Sequence, residues 1–155
     1  MLVSIDPGAK LAGVALWDDN ELTCAWLTRG EDWRDTALNV SREVHQRIPR
    51  LDDVDVAIER PQVYVQSKQK GDPNDLITIA LMAGGAASLT ATGLVTVYLP
   101  REWKQSVPKE IMVRRIQARL TSEERARVEL PAPSLAHNVW DAVGIGLHQL
   151  KRRGR

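Results

Sequence analysis

Three acidic residues stand where apolar elements end or show one polar face. Asp6 closes the run Leu2-Val3-Ser4-Ile5 and is followed by Pro7-Gly8. Glu59 closes Val56-Ala57-Ile58 and precedes Arg60-Pro61, and Asp141 is the lone carboxylate within residues 139–147. A buried carboxylate without a partner costs several kcal/mol, so an apolar frame rarely carries one without reason. If the fold brings the three together, they suit divalent cations, because Mg²⁺ is hard, takes oxygen ligands and keeps waters or substrate phosphates in its shell. Such a constellation reads as metal-dependent phosphodiester chemistry. Taken singly, each has a plainer reading: a turn former, a strand-end charge and a solvent-facing helix residue.

The elements that must position these groups can be read from patterning. Short apolar runs at residues 2–5, 14–17 and 22–27 are separated by Asp6-Pro7-Gly8 and Asp18-Asp19-Asn20, as in a β-meander. Residues 33–48 carry Leu38, Val40, Val44 and Ile48 near helical spacing, and Pro49 ends them. Residues 55–59 and 95–99 each hold a short, largely apolar run without polar alternation, the pattern of parallel strands buried on both faces. Residues 60–73 form a polar loop; Asn74 is placed to cap a helix reaching residue 92, with Gly93 beyond it. Pro108 suits the first turn of a helix through residue 120. A short helical piece follows over 122–129, and Ser134 is expected to cap a last helix through 152. A three-strand meander followed by alternating helices and parallel strands predicts an α/β chain with a five-stranded mixed sheet.

Composition narrows the function classes. At 155 residues, 43% hydrophobic and 26% charged, the chain is expected to be a single globular domain over residues 1–155, ending in a short basic tail. The single cysteine, Cys24, permits no internal disulfide, and one cysteine with three scattered histidines lacks zinc-ligand spacing. A cytoplasmic protein of a bacterium or of a phage-infected host is expected, without a membrane span or secretory leader. The net charge is only +1, but its distribution is uneven. Residues 98–127 hold eight cations against four acids, and the tail Lys151-Arg152-Arg153-Gly154-Arg155 adds four more. One face is therefore a candidate for phosphate contacts, with a solvated helix and a frayed tail as the bland alternative.

Four strings are specific enough to carry a resemblance. Ser4-Ile5-Asp6-Pro7-Gly8-Ala9-Lys10-Leu11-Ala12-Gly13-Val14 resembles the first motif of RuvC-type Holliday junction resolvases, and Val56-Ala57-Ile58-Glu59 resembles the second. Leu99-Pro100-Arg101-Glu102-Trp103-Lys104-Gln105-Ser106-Val107 with Lys109 is similar to the basic segment after the fifth strand. His137-Asn138-Val139-Trp140-Asp141-Ala142-Val143-Gly144 is similar to the motif on the last helix. One such motif is weak; four in order along nearly the whole chain are not. The resemblance implies a ribonuclease H-like fold and a homodimer that cuts symmetric strands of a four-way DNA junction. It implies two Mg²⁺ ions per site, with Mn²⁺ able to substitute, about 3.5–4 Å apart. Asp6 would bridge both ions, Glu59 would complete the leaving-group side, and Asp141 the side of the attacking water. Arg101, Lys104, Gln105 and Lys109 would contact DNA, as would Lys68 and Lys70. Tyr64 would stack on a splayed base in a chain that has no phenylalanine. Gly8 and Gly13 are expected to allow a tight return and a close DNA approach.

One departure concerns the last helix. The family usually has Asp or His three residues before the final Asp, where this chain has Asn138, with His137 one residue earlier. Both positions share a helix face with Asp141. His137 is expected as a proton handler or ligand, and Asn138 as an alternative oxygen ligand. His45 and His148 are expected to be structural. Rival readings are another ribonuclease H-like nuclease, acting on RNA–DNA hybrids or ribosomal RNA precursors, and a junction-binding protein with a degenerate site. A sugar kinase of the actin-like kind shares Asp-x-Gly after a strand, but lacks here the second half needed to enclose ATP.

Overall fold

Two-residue alternation along the central strands decides which side of the sheet carries chemistry. The computed structural model describes residues 1–48, 53–63 and 72–151. Its sheet contains β1 (Leu2–Asp6), β2 (Leu11–Asp18), β3 (Glu21–Arg29), β4 (Asp55–Glu59) and β5 (Val95–Tyr98), in the order β3-β2-β1-β4-β5. The meander β1-β2-β3 is antiparallel, while β4 runs parallel to β1 and β5 parallel to β4. This is the expected five-stranded mixed sheet of the ribonuclease H-like fold, with β1 at its centre.

On one face Val3, Ile5, Val14, Leu16, Val56 and Ile58 pack under α1 (Trp33–Arg47) and α2 (Pro73–Thr90). Successive strand side chains point to opposite faces, so Ser4, Asp6, Ala15, Ala57 and Glu59 belong to the other side. There α6 (Ala136–Gln149) lies over β1 and β2, flanked by α3 (Pro100–Trp103) and α4 (Lys109–Arg119). A short α5 (Ser122–Ala126) packs on β3.

Gly13 is the tightest point of the contact between α6 and the sheet. A Cβ there would lie 1.9 Å from the Asn138 carbonyl oxygen and 3.0 Å from the Val139 nitrogen. Gly13 faces Asp6 across the β1–β2 ladder. The start of α6 therefore comes down directly beside Asp6. Gly13 serves this helix–sheet contact, which corrects the expectation that it makes room for DNA. Gly8 keeps its turn role, since a Cβ would meet the Leu11 carbonyl oxygen at 2.4 Å.

Several boundaries differ from expectation for local reasons. Asp72, not Asn74, caps α2, accepting from the Asn74 N–H at 2.9 Å with Pro73 at the first turn. The last helix starts at Ala136 without a side-chain cap and ends at Gln149, so Ser134 lies outside it. Pro108 precedes the first residue of α4. Residues beyond α5 leave the helix to pair with β3: the Glu129 N–H donates to the Ala25 carbonyl at 2.7 Å. β5 is an edge strand whose Val95 and Val97 are 46% and 48% exposed, because among the described residues no helix covers it on the α2 side. Its apolar run had suggested burial on both faces. Among the described residues no helix is long and apolar enough to cross a membrane.

The close approach at Gly13 has a direct consequence. Gly13→Ala should destabilise the protein by about 1–3 kcal/mol or more, the cost of overpacking against backbone that has no rotamer to yield. A urea unfolding midpoint equal to that of the wild type would show that α6 can retreat from the sheet without loss.

Candidate active site

Asp6 and Glu59 come from the same ends of two neighbouring parallel strands. The β1–β4 register runs Leu2↔Asp55 to Ile5↔Ile58, so the next step places Asp6 beside Glu59 on the face that α6 covers. Asp141, in the second turn of α6, is buried. The helix carries it to that same end because Gly13 admits its backbone so closely. Short β-strands and one tightly seated helix thus gather carboxylates separated by 135 positions between Asp6 and Asp141.

Their electrostatics show the gathering. Burial pushes the Asp6 carboxyl well above its ordinary range, and the charges of Asp141 and Glu59 push it further, while Lys104 and Lys109 pull it down. Burial also raises Glu59; the Trp103 indole and the Lys104 charge oppose that rise, and Asp141 adds to it. Three acids in so little water repel one another, and a cation is the remedy.

Part of that remedy is already present. The Lys104 ammonium forms an ion pair with Asp141 Oδ2, at a side-chain exposure of 25% for Lys104 and 8% for Asp141. It also lies 5.2 Å from the centre of the Trp103 ring. The other Asp141 oxygen, Oδ1, is buried without a hydrogen-bond partner. Trp103 Nε1–H donates to Glu59 Oε2 at 2.7 Å. Adjacent residues at the end of α3 thus hold two of the three carboxylates.

Among the described residues no group of three His, Cys, Asp or Glu side chains is arranged to hold a metal ion as the structure stands. The donor chemistry nevertheless fits a hard divalent cation. Three carboxylates converge electrostatically, and a buried carboxylate oxygen lacks any partner. Asp6, Glu59 and Asp141 are the residues that would hold it, with the Lys104 ammonium standing as the present counter-charge at Asp141.

His137 occupies the first turn of α6, and its Nδ1 is buried without a hydrogen bond of good geometry. Burial lowers its pKa from 6.5, with Lys109 and Lys104 acting the same way and Asp141 and the Ser134 backbone opposing. The ring is therefore neutral at pH 7. It borders a groove with Lys109, Arg114 and Trp140 between α4 and α6. Asn138 is half-buried, with its backbone carbonyl over Gly13.

Arg101, Gln105 and Lys109 are exposed on the segment from α3 to α4. Gln105 has a φ of 56°, a left-handed conformation that turns the chain sharply after Lys104. Tyr64, Lys68, Lys70 and the tail from residue 152 lie outside the described residues. His45 is exposed on α1, and His148 packs edge-on against Tyr98 with ring centres 4.8 Å apart, so neither joins the site. Sequence reasoning gave Trp103 no role and Lys104 only a phosphate contact. The available signal was a large indole in an otherwise polar, basic segment, since a buried indole N–H needs an acceptor.

Neither protein-family models nor curated proteins match the chain. Solved structures do. The chain is similar to Thermus thermophilus RuvC in complex with a Holliday junction substrate, at a TM-score of 0.61 and 20% identity, covering 99% of this chain and 97% of that one. A second Thermus thermophilus RuvC structure matches at a TM-score of 0.57 and 17% identity, over 99% and 98% of the two chains. The yeast mitochondrial Holliday junction resolvase Ydc2 matches at 0.51 and 8% identity, over 94% of this chain and 76% of that one. The fold is therefore the one seen in these RuvC structures, matched over nearly the whole chain.

Two outcomes follow from the charge balance. Asp6 is raised in the folded state, so the folded protein keeps a proton that the unfolded chain has lost; this contribution to stability is lost as pH rises from 3.8 through the folded value. Asp6→Asn should therefore raise the melting temperature in EDTA at pH 7.5, and the gain should shrink towards pH 4. Equal gains at both pH values would show that Asp6 carries no such strain. Lys104→Met should cost the metal-free protein about 1–3 kcal/mol, because Asp141 stays buried and loses its partner. Saturating Mg²⁺ should recover part of that loss in thermal melts, and a neutral substitution would place the ion pair outside the stability of the site.

Proposed function

We propose that this protein is a metal-dependent endonuclease that resolves four-way DNA junctions by hydrolysing paired, symmetric phosphodiesters. The observation that carries the reading is the convergence of Asp6, Glu59 and Asp141 at one end of the sheet, where the charges of Asp141 and Glu59 push the buried Asp6 carboxyl up and the charge of Asp141 does the same to Glu59. The RuvC-like fold supplies the substrate class: one similar RuvC is described with a Holliday junction, and Ydc2 as a resolvase.

Bound Mg²⁺ would supply an acidified water and neutralise charge on the scissile phosphate. The chain's own residues do the rest. The three carboxylates would hold the cations. His137, neutral at pH 7, stands beside them able to accept a proton. Lys104 and Lys109 bring positive charge to the same place, and exposed Arg101 and Gln105 extend it outward for backbone phosphates.

Paired cleavage of a two-fold symmetric junction calls for two copies of the site, which a C2 dimer supplies. A second copy of this chain fits the open side of β5. A groove of about 480 Å³ lies there, walled by Ile58, Pro61, Ala80, Gly84, Val95 and Val97. Exposed Ile77 and Leu81 lie on α2, which forms one wall of it. The groove also includes Glu59 and Arg60, so a partner seated in it would be held in register with the active site. Ala83 and Ala87 of α2 are largely buried against the chain's own core, whereas a Cβ at Gly84 would meet nothing within 4 Å.

Incubation with a labelled four-way junction, an RNA–DNA hybrid and a linear duplex, each with Mg²⁺ or EDTA, tests the reading. Symmetric nicking of the junction alone, only with Mg²⁺, is expected, and Asp6→Asn should abolish it while junction binding persists. Preferential hybrid cleavage would point to the other ribonuclease H-like chemistry. Tight junction binding without scission under any metal would identify a junction-binding protein.

A further inference from the structure

We infer that Trp103 is a positioning residue for the Glu59 carboxylate, holding one of its oxygens so that the other faces the cation site. The inference rests on the metal-dependent reading above. Its observation is the 2.7 Å hydrogen bond from the indole Nε1–H to Glu59 Oε2, made between residues 44 positions apart.

The indole is well placed to hold a fixed geometry. Trp103 is 8% exposed and lies in a notch left by Gly144 on α6, where a Cβ would come within 2.6 Å of Cζ3. Ile116 of α4 borders the same notch, 2.8 Å from that position. The turn that carries Trp103 is closed at both ends, by Glu102, which accepts the Leu99 N–H at 2.5 Å, and by the Lys104 N–H donating to the Pro100 carbonyl at 2.9 Å. One side chain therefore joins β4 to α6, two of the three elements that carry the carboxylates.

The choice of residue type is informative. Filling the notch needs only an aromatic ring, and phenylalanine would do that. The indole adds a single donor with no charge and no acceptor. It can orient a carboxylate without neutralising it, so it does not compete with a cation as an ammonium would. Glu59 ends its strand with freedom about three side-chain bonds, and a ligand left to rotate loses affinity. Residues that orient metal ligands in this way typically account for 10–100-fold in metal affinity.

Calorimetric titration of Mn²⁺ into the full chain tests this without using activity. Wild type, Glu59→Gln, Trp103→Phe and the double variant are compared. Trp103→Phe should weaken binding by about 10–100-fold, and the double variant should bind no more weakly than Glu59→Gln alone. If Glu59→Gln binds like the wild type, the metal reading itself fails and the inference with it. If Glu59→Gln weakens binding but Trp103→Phe does not, or if the two losses add in full, Trp103 is a space filler and the inference alone is overturned. Should Trp103→Phe not fold, the wild type still decides. The indole N–H resonance displaced by Glu59→Gln should shift on Mg²⁺ addition with the midpoint seen by calorimetry, and a resonance that stays in place would overturn the inference.

Discussion

The structure depends on how closely one helix can lie on the central strands. Where a side chain at position 13 would sit, the carbonyl of Asn138 sits instead. Further along the helix, Gly146 leaves the space taken by the Trp17 indole, whose N–H donates to Ser4 at 2.9 Å. Gly144 leaves the space taken by Trp103. Glycine in a helix interior costs roughly 0.5–1 kcal/mol relative to alanine, yet α6 carries two. The compensation is burial: Val139, Val143, Ile145 and Leu147 are fully buried in the core shared by the sheet, α3 and α4. The close seat also places the one charged residue of that helix, Asp141, over the ends of β1 and β4.

That placement is electrostatically expensive, and the sheet has no means to make it cheaper. A parallel β1–β4 pair brings Asp6 and Glu59 side by side at their common end, and burial raises both. One ammonium cannot balance three carboxylates. Lys104 neutralises Asp141 on one oxygen and leaves the other without a partner. A site arranged for stability alone would replace one of these acids by an amide. On the proposed metal-dependent reading, retaining all three would trade folded stability for cation affinity, as active sites commonly do.

Much of this was readable from residue order. Asp6 and Glu59 stand out because each ends an apolar run, and period-two alternation alone puts both on the face opposite Ile5 and Ile58. Asp141 stands out as the only charge within nine residues of apolar helix. The meander and the parallel crossovers followed from turn chemistry and run length. What could not be read were contacts between distant segments. The four residues of α3 begin with a proline directly after a strand, so they carry no periodicity to detect. Trp103 meets Glu59 across 44 positions, and Gly13 meets α6 across 125. No local pattern encodes either. The exposure of β5 escaped for a related reason: Val-Thr-Val-Tyr reads the same in a central strand and at an edge.

The short segment at the end of α3 separates two kinds of support for the site. Trp103 is 8% exposed, packed in a notch of α6 and hydrogen-bonded to a strand residue, so it has little freedom to move. Lys104 is 25% exposed on a flexible four-carbon stem, and the chain reverses at Gln105 immediately after it. An ammonium and a divalent cation are alternative counter-charges for the same carboxylate, and a DNA phosphate is an alternative partner for the ammonium. Entry of a cation at Asp141 would therefore free Lys104 towards the phosphate that the cation serves, while Trp103 and Glu59 stay as they are. On the proposed reading the two neighbours would divide the work by burial: one would keep its geometry, and the other would keep its charge available until metal and substrate arrived together.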